Sequence, residues 1–495
     1  MKGALRTLVS GAIAMMLASC GGGAGSLDDE VASAAGIDRS GLTVVGAISG
    51  FGSIFVGGVE FDTNGAVIEG DGRILAEDDL AVGDVVQVIG TVDQNGATGS
   101  AERIFFDAEA KGPVSAIDSM AGTFMVLGRT IRVDAATVFD PAFSLRSLAG
   151  LAVGDLVEIS GFVAENDELV ATRIKSRLIV EEVEVKGRVS ALDVDARTFR
   201  IGDQRVDYGN ASLLGFDGAA PSAGDRVDVR GSLGESGVLL ATRLEFESDR
   251  VFTGSGEGDV EFEGIVTSRE GSTFSVGLQP ARLSPSTRFK DGRGAADLEV
   301  GVRVEVEGRF DEDGVLEATE IELRRAVDSE LEGIVESIDV ARGMLIVSGL
   351  TITVVDTTQF EDESDRATRR FGLVDLVVGD FVEIRGTFMD GRLRAQRIER
   401  DGEDALDLDS DTDEQELPGA RVDLELEGAL TAIDTDGIEL LGSRVVFTAT
   451  TRFELDENVD RATFVAAVAP GDRVAVAARR AEDGRLVAQK VELED

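Results

Sequence analysis

Histidine and tryptophan are absent from this 495-residue chain, tyrosine and cysteine occur once each, and proline occurs seven times. Each shortage removes a class of chemistry. Without histidine there is no Ser-His-Asp triad, no imidazole base and no His-ligated zinc or haem. The lone cysteine, Cys20, excludes an intrachain disulfide framework. Aromatic residues make up 5% of the chain, which leaves a carbohydrate enzyme without its usual stacking platforms. Positive charge is scarce too: 48 Lys and Arg against 94 Asp and Glu give a net charge of −46. Such a surface repels nucleic acid and anionic lipid head groups. What survives in principle is serine-lysine or paired-carboxylate chemistry. Lys111, Lys175, Lys186 and Lys290 follow no nucleophile motif, and carboxylates are dense enough for a pair at glycosidase spacing to arise by chance. The sequence therefore points to no catalytic, cofactor-binding or metal-binding residue, and to no enzyme.

The N-terminus reads as a targeting segment. Lys2 and Arg6 precede an apolar stretch from Leu8 to Leu17 that is too short for a bilayer span of roughly 20 residues. Leu17-Ala18-Ser19-Cys20 closes it and resembles the lipobox of bacterial lipoproteins, in which the cysteine is acylated. Lipidation at Cys20 is the expectation, with the acyl chains supplying membrane affinity at roughly 0.8 kcal/mol per buried CH₂. Gly21, where an Asp would retain the chain in the inner membrane, points by resemblance to Gram-negative sorting rules to the outer membrane. No later segment is apolar and long enough to cross a bilayer.

The remainder is repetitive. A short strand opens each unit, as in Lys111-Gly112-Pro113-Val114-Ser115-Ala116-Ile117-Asp118, Lys186-Gly187-Arg188-Val189-Ser190-Ala191-Leu192-Asp193 and Glu332-Gly333-Ile334-Val335-Glu336-Ser337-Ile338-Asp339. A hairpin-like pair of strands ends in Thr-x-Phe, at Thr137/Phe139, Thr287/Phe289, Thr358/Phe360 and Thr451/Phe453. The strongest marker is Val153-Gly154-Asp155-Leu156-Val157-Glu158-Ile159-Ser160-Gly161, repeated from Val378 to Gly386 and, with variations, from Val82, Ala223, Val300 and Pro470. Gly-Asp supplies a turn, because Gly takes positive φ freely and Asp bonds to nearby backbone. Val157 and Ile159 then alternate with Glu158 and Ser160, the pattern of a half-buried strand whose terminal Gly permits a sharp bend. A final Leu-x-Ala-x-x-Ile strand closes the unit, as at Leu169/Ala171/Ile174 and Leu393/Ala395/Ile398.

Each unit offers about five strands in roughly 65–80 residues, with a longer connection between the third and fourth, which fits a small Greek-key barrel of OB type. An SH3-like barrel or a small open sandwich fits as well. The expected class is all-β: about six tandem five-stranded OB-like barrels, at 43–107, 108–179, 182–247, 260–325, 328–400 and 421–495. Before them lie a signal peptide (1–20) and a flexible linker (21–42). Between them lie a Gly-rich acidic linker (248–259) and a denser acidic one (401–420). In unit one, Gly57-Gly58 is expected to turn a hairpin.

On the Gly50-Phe51-Gly52-Ser53-Ile54-Phe55-Val56 opening and the Val-Gly-Asp-x-Val-Glu-Ile strands, the chain resembles bacterial secreted and lipoprotein chains built from tandem OB-like domains of unknown function. The resemblance covers nearly the whole mature chain. It implies a β-barrel fold and an envelope location, and it brings no catalytic residues.

Three local patterns read as structure rather than sites. Gly50-x-Gly52 opens a hairpin and lacks the third glycine and helix of a dinucleotide loop. Asp407, Asp409, Asp411 and Asp413 imitate the start of a calcium loop, but its sixth and twelfth places hold Thr412 and Pro418. The Thr-x-Phe phenylalanines read as core plugs, not as the platforms of single-strand binders. The functions left are, in order, a non-catalytic envelope scaffold that meets a protein or glycan partner, a binding module for glycan, small molecule or divalent cation, and a carboxylate-dependent hydrolase.

Overall fold

A computed structural model describes residues 41–494 except 52, 71, 94–95, 144, 248–258, 291, 325–326, 365, 367, 369–370, 402–422, 456–457 and 482. The expected signal peptide, Cys20, the calcium-loop imitation and nearly all of both acidic linkers lie outside the described residues.

In repeat 1 the first strand, Leu42–Phe51, pairs antiparallel with Ile54–Val56, which pairs antiparallel with Val59–Asp62. That third strand runs parallel to the last strand, Thr98–Phe106; the last pairs antiparallel with Val85–Val92, which returns to the first. The circuit 1-2-3-5-4-1, with strands 3 and 5 parallel, is the OB order, which selects the OB barrel from the alternatives left open by the sequence. The same circuit closes in repeat 2, repeat 4, repeat 5 and repeat 6. Repeat 3 closes it with a first strand broken at Val189 into Val183–Arg188 and Ser190–Asp193. The long connection carries a single 3-10 turn in repeats 1, 2, 4 and 5 and a seven-residue helix, Arg461–Ala467, in repeat 6.

The sequence markers are the hinges of this circuit. Gly83, Gly154, Gly224, Gly301, Gly379 and Gly471 all have φ between +86° and +102°. The following Asp accepts a hydrogen bond from the amide three residues back, as Asp155 Oδ2 does from Ala152 N at 2.8 Å and Asp380 Oδ2 from Val377 N at 2.9 Å. Repeat 4 has Val302 there and keeps the turn through its backbone alone, Val302 N donating to Glu299 O at 3.2 Å. The Thr of Thr-x-Phe donates to the carbonyl of the Ala in the closing strand: Thr137 to Ala171, Thr358 to Ala395 and Thr451 to Ala488 at 2.8 Å, Thr287 to Ala318 at 2.7 Å. Phe139 and Phe453 are buried in their barrels, and Phe289 and Phe360 pack against the cores.

One expectation needs correction. The glycine after the fourth-strand alternation does not end the strand. Leu156–Val163 runs on past Gly161, and Phe381–Met389 past Gly386. The glycine is instead a β-bulge, where register shifts between Ser160 and Gly161, Arg230 and Gly231, Glu307 and Gly308, and Arg385 and Gly386. A Cβ at Gly161 or Gly386 would collide with the carbonyl oxygen of Val170 or Arg394 on the partner strand. Repeat 6 keeps the bulge with Ala478 in that place.

The barrels are not beads. They join in pairs through their first strands, giving three sheets of 12, 13 and 13 strands. Repeats 2 and 3 pair antiparallel (Glu184 opposite Lys111), as do repeats 5 and 6 (Leu331 opposite Leu426). Repeats 1 and 4 pair in parallel, Leu42 opposite Asp259 through Val45 opposite Phe262. The described residues form one compact unit.

Candidate functional site

Joining closed barrels buries their outer faces, and those faces are charged. Glu158 and Ser160, the polar half of the alternation, are each only 3% exposed, so the strand expected to be half-buried is covered on both sides. Glu184, Asp228, Glu261, Glu263, Glu305 and Glu399 are buried in the same way. Buried charge is tolerated only when paired, and ion pairs cross nearly every junction. Lys175 Nζ of repeat 2 meets Asp84 of repeat 1 at 2.5 Å, and Arg173 Nη1 donates to Val82 O at 2.9 Å. Glu263 of repeat 4 accepts from Ala47 N of repeat 1 at 3.1 Å. Arg394 of repeat 5 meets Glu322 of repeat 4 at 3.2 Å. Arg146 of repeat 2 pairs with Glu363 and Glu399 of repeat 5. A small apolar cluster of Ala47, Phe162, Ala164, Val170 and Ile265 seals the meeting of repeats 1, 2 and 4.

The two antiparallel seams differ in sign. In the repeat 2–3 seam Glu109 lies between Arg129 at 2.9 Å and Arg226 at 2.8 Å. Burial pushes its carboxyl up, but Arg226, Arg129 and Lys186 together pull it down to about 2. In the repeat 5–6 seam like charges face each other, Glu330 opposite Glu427 and Glu332 opposite Glu425. Arg385 serves Glu330 at 3.3 Å and Arg473 serves Glu427 at 2.6 Å, while among the described residues no ion pair reaches Glu332 or Glu425. Burial, then Glu383, Glu425 and Glu330, push Glu332 up to about 8; Glu330 and Glu425 are raised for the same reasons.

A cleft of about 980 Å³ opens where repeats 1, 4 and 5 meet. Its walls include the Gly57-Gly58 turn, Asp259, Glu261, Glu305 and Glu307 of repeat 4, and Val354 to Thr357 with Arg394 of repeat 5. The turn has φ +61° and +77°, as the sequence anticipated for a tight hairpin. The four lysines singled out in the sequence do not gather into a site. Lys111 pairs with Glu158 at 3.6 Å, Lys175 with Asp84, Lys186 with Asp107 at 2.6 Å and Lys290 with Glu320 at 3.2 Å. Neighbouring carboxylates outweigh burial and hold Lys186 and Lys290 above the usual lysine range, so neither is a nucleophile in waiting. Among the described residues, carboxylate oxygens come within 4.8 Å of one another in four groups: Asp107/Glu184/Asp228, Glu330/Glu332/Glu383, Glu361/Glu363/Glu399 and Glu383/Glu399/Asp401. Lys186 and Arg230 already occupy the first, and Arg146 and Arg397 the last two.

A Domain of unknown function (DUF5666) matches residues 44–104, 111–175, 186–245, 263–322, 332–399 and 427–492. The chain belongs to the DUF5666 family. Each DUF5666 match coincides with one closed circuit of strands. No curated protein matches the chain. Among solved structures, Drosophila Unr CSD456 is 15% identical over 48% of this chain and 97% of its own, with a TM-score of 0.16. A multidomain protein with nucleic acid binding domains from Streptococcus pneumoniae TIGR4 is 14% identical over 46% and 75%, with a TM-score of 0.12. At such scores neither likeness bears on how the DUF5666 barrels are arranged or used.

Proposed function

We propose that this chain is a non-catalytic lipoprotein of the cell envelope, held to the outer membrane by acyl chains on Cys20, whose six DUF5666 barrels form a scaffold for an envelope protein or glycan. The observation that carries the scaffold reading is the fusion of the barrels through their first strands and buried ion pairs. A rigid multi-barrel surface offers several binding faces at set spacing, and linked sites raise one another's effective concentration. A flexible string would not hold that spacing. The non-catalytic reading is supported by the absence of histidine and by the pairing of all four candidate lysines. The anchor reading rests on Leu17-Ala18-Ser19-Cys20 and the short apolar stretch before it.

Palmitate labelling of cells that express the chain, followed by membrane fractionation and cross-linking, tests both parts. Label in the outer membrane, lost in Cys20→Ser, with one reproducible cross-linked partner, is the expected result. Unlabelled chain in the soluble fraction contradicts the anchor, and a labelled chain that captures nothing contradicts the scaffold.

A further inference from the structure

The seam between repeats 5 and 6 sets acid against acid. Its ladder puts Glu330 opposite Glu427 and Glu332 opposite Glu425, and inside repeat 5 Glu332 also lies opposite Glu383. Oxygens of Glu330, Glu332 and Glu383 all lie within 4.8 Å of one another, and the three residues are half-buried. Like charges directly opposite on neighbouring strands destabilise the pairing. The repeat 2–3 seam shows the ordinary solution, with Lys111 opposite Glu184.

Every element packed against Glu332 brings charge. Its own strand carries Glu330, and the fourth strand of repeat 5 carries Glu383 and Arg385. Asp401 follows the fifth strand, with Glu399, Arg397 and Arg146 of repeat 2 beyond it. Repeat 6 presents Glu425 and Glu427, backed by Arg473, Lys490, Glu492 and Glu494. The cations are committed elsewhere: Arg385 to Glu330 and Glu383, Arg397 to Glu361 and Glu399, Arg146 to Glu363 and Glu399, Arg473 to Glu427, and Lys490 to Glu454 and Glu492. Protons make up the deficit. Glu330 and Glu383 share a carboxyl–carboxyl hydrogen bond, which needs one.

These protons leave in a range where little else titrates. The chain has no histidine, ordinary carboxyls are already ionised at pH 6, and lysines stay charged to pH 9. Burial, then Glu383, Glu425 and Glu330, hold Glu332 at about 8, and burial with Glu383 and Glu427 holds Glu330 at about 7. Two further contacts across the seam, Arg480 to Ser348 O at 2.6 Å and Arg473 to Asp328 O at 3.3 Å, do not change over this range. Each of the two repeats closes its own circuit of strands, so the seam can part while both barrels stay folded. We propose that the repeat 5–6 seam is a pH-sensitive joint, closed while its facing glutamates hold protons and opened as they lose them. The closed seam binds the Glu332 proton more tightly than an open one, where the carboxyl meets water, so rising pH favours the open joint.

Hydrogen–deuterium exchange of the full chain tests this, with chelator present so that no divalent ion stands in for the protons. Protection is read against the intrinsic exchange rate at each pH. Residues 330–333 and 424–427 are expected to lose at least about tenfold in protection between pH 7 and pH 9, the change produced by one carboxyl at about 8. Residues 382–386 and 474–477, inside the same two barrels, and residues 110–111 and 184–185 of the repeat 2–3 seam are expected to keep theirs. Glu332→Gln is expected to remove most of the loss. Unchanged protection at residues 330–333 and 424–427 overturns the proposal. So does an equal loss inside the barrels, which would mean that they unfold, and so does a loss undiminished in Glu332→Gln.

Discussion

At the scale of single residues, two markers visible in the sequence become mechanical parts. In repeats 1 to 5 the bulge glycine lies against a carbonyl oxygen on the neighbouring strand, which leaves no room for a methyl group where that backbone stands. Gly386→Ala therefore overpacks the bulge and is expected to lower stability by about 1–3 kcal/mol in denaturant titration. The Thr of Thr-x-Phe ties the third strand to the fifth. Thr358 Oγ1 accepts from Val355 N at 2.9 Å and donates to Ala395 O at 2.8 Å. Thr358→Val preserves shape and loses both bonds, leaving a buried carbonyl unpaired, with an expected cost of about 1–3 kcal/mol in the same assay. The glycines, Gly-Asp turns and Thr-x-Phe steps were legible because each answers a local demand of the backbone. The bulge itself was not legible, since a bend at a strand's end and a bulge within it call for the same residue. Glu261 was not legible either: it is one glutamate among many until Gly57 and two other barrels close around it.

At the scale of elements, the first strands decide which barrels join. They read as ordinary alternating strands, with Glu330-Leu331-Glu332 and Glu425-Leu426-Glu427 carrying polar and apolar faces in turn. That pattern says that one face is polar, but not that another barrel covers it. The covering gives the seams opposite responses to pH. Glu332 binds its proton more tightly when folded, at about 8 against an ordinary value of 4.5. Its contribution is therefore complete below 4.5 and is lost as pH rises toward 8. Glu332→Gln is expected to raise the melting temperature relative to the parent at pH 8 and to leave it nearly unchanged at pH 4; an equal effect at both would assign the change to packing. Glu109 behaves in the reverse sense. Held at about 2, it contributes fully above 4.5 and loses that contribution as pH falls toward 2. The destabilisation caused by Glu109→Gln is expected to be large at pH 7 and to shrink steadily as pH falls toward 2.

At the scale of the whole molecule, tandem order and spatial order part company. Repeats 2 and 3, and repeats 5 and 6, pair as neighbours in sequence, but repeat 1 pairs with repeat 4. The repeat count and the five strands per barrel could be read from periodicity, because each repeat closes on its own contacts; the choice of the OB barrel over its alternatives needed the strand order. The parallel seam between repeats 1 and 4 could not, because it joins strands more than 200 residues apart, and nothing in their alternation names the partner. That seam fuses two of the six barrels, and together with the buried contacts between the three pairs it creates the cleft with Glu261 on its wall. Its direct test is an engineered disulfide between Leu42→Cys and Asp259→Cys in a Cys20→Ser background. These two positions are register partners on adjacent strands. Adjacent strands lie about 5 Å apart, within the Cα span of about 4.4–6.8 Å that a disulfide bridges. Rapid intramolecular oxidation, seen as a reduction-sensitive gel shift of the monomer, is the result expected of a fused scaffold. Free thiols, or intermolecular links alone, would contradict the seam and return the barrels to a string.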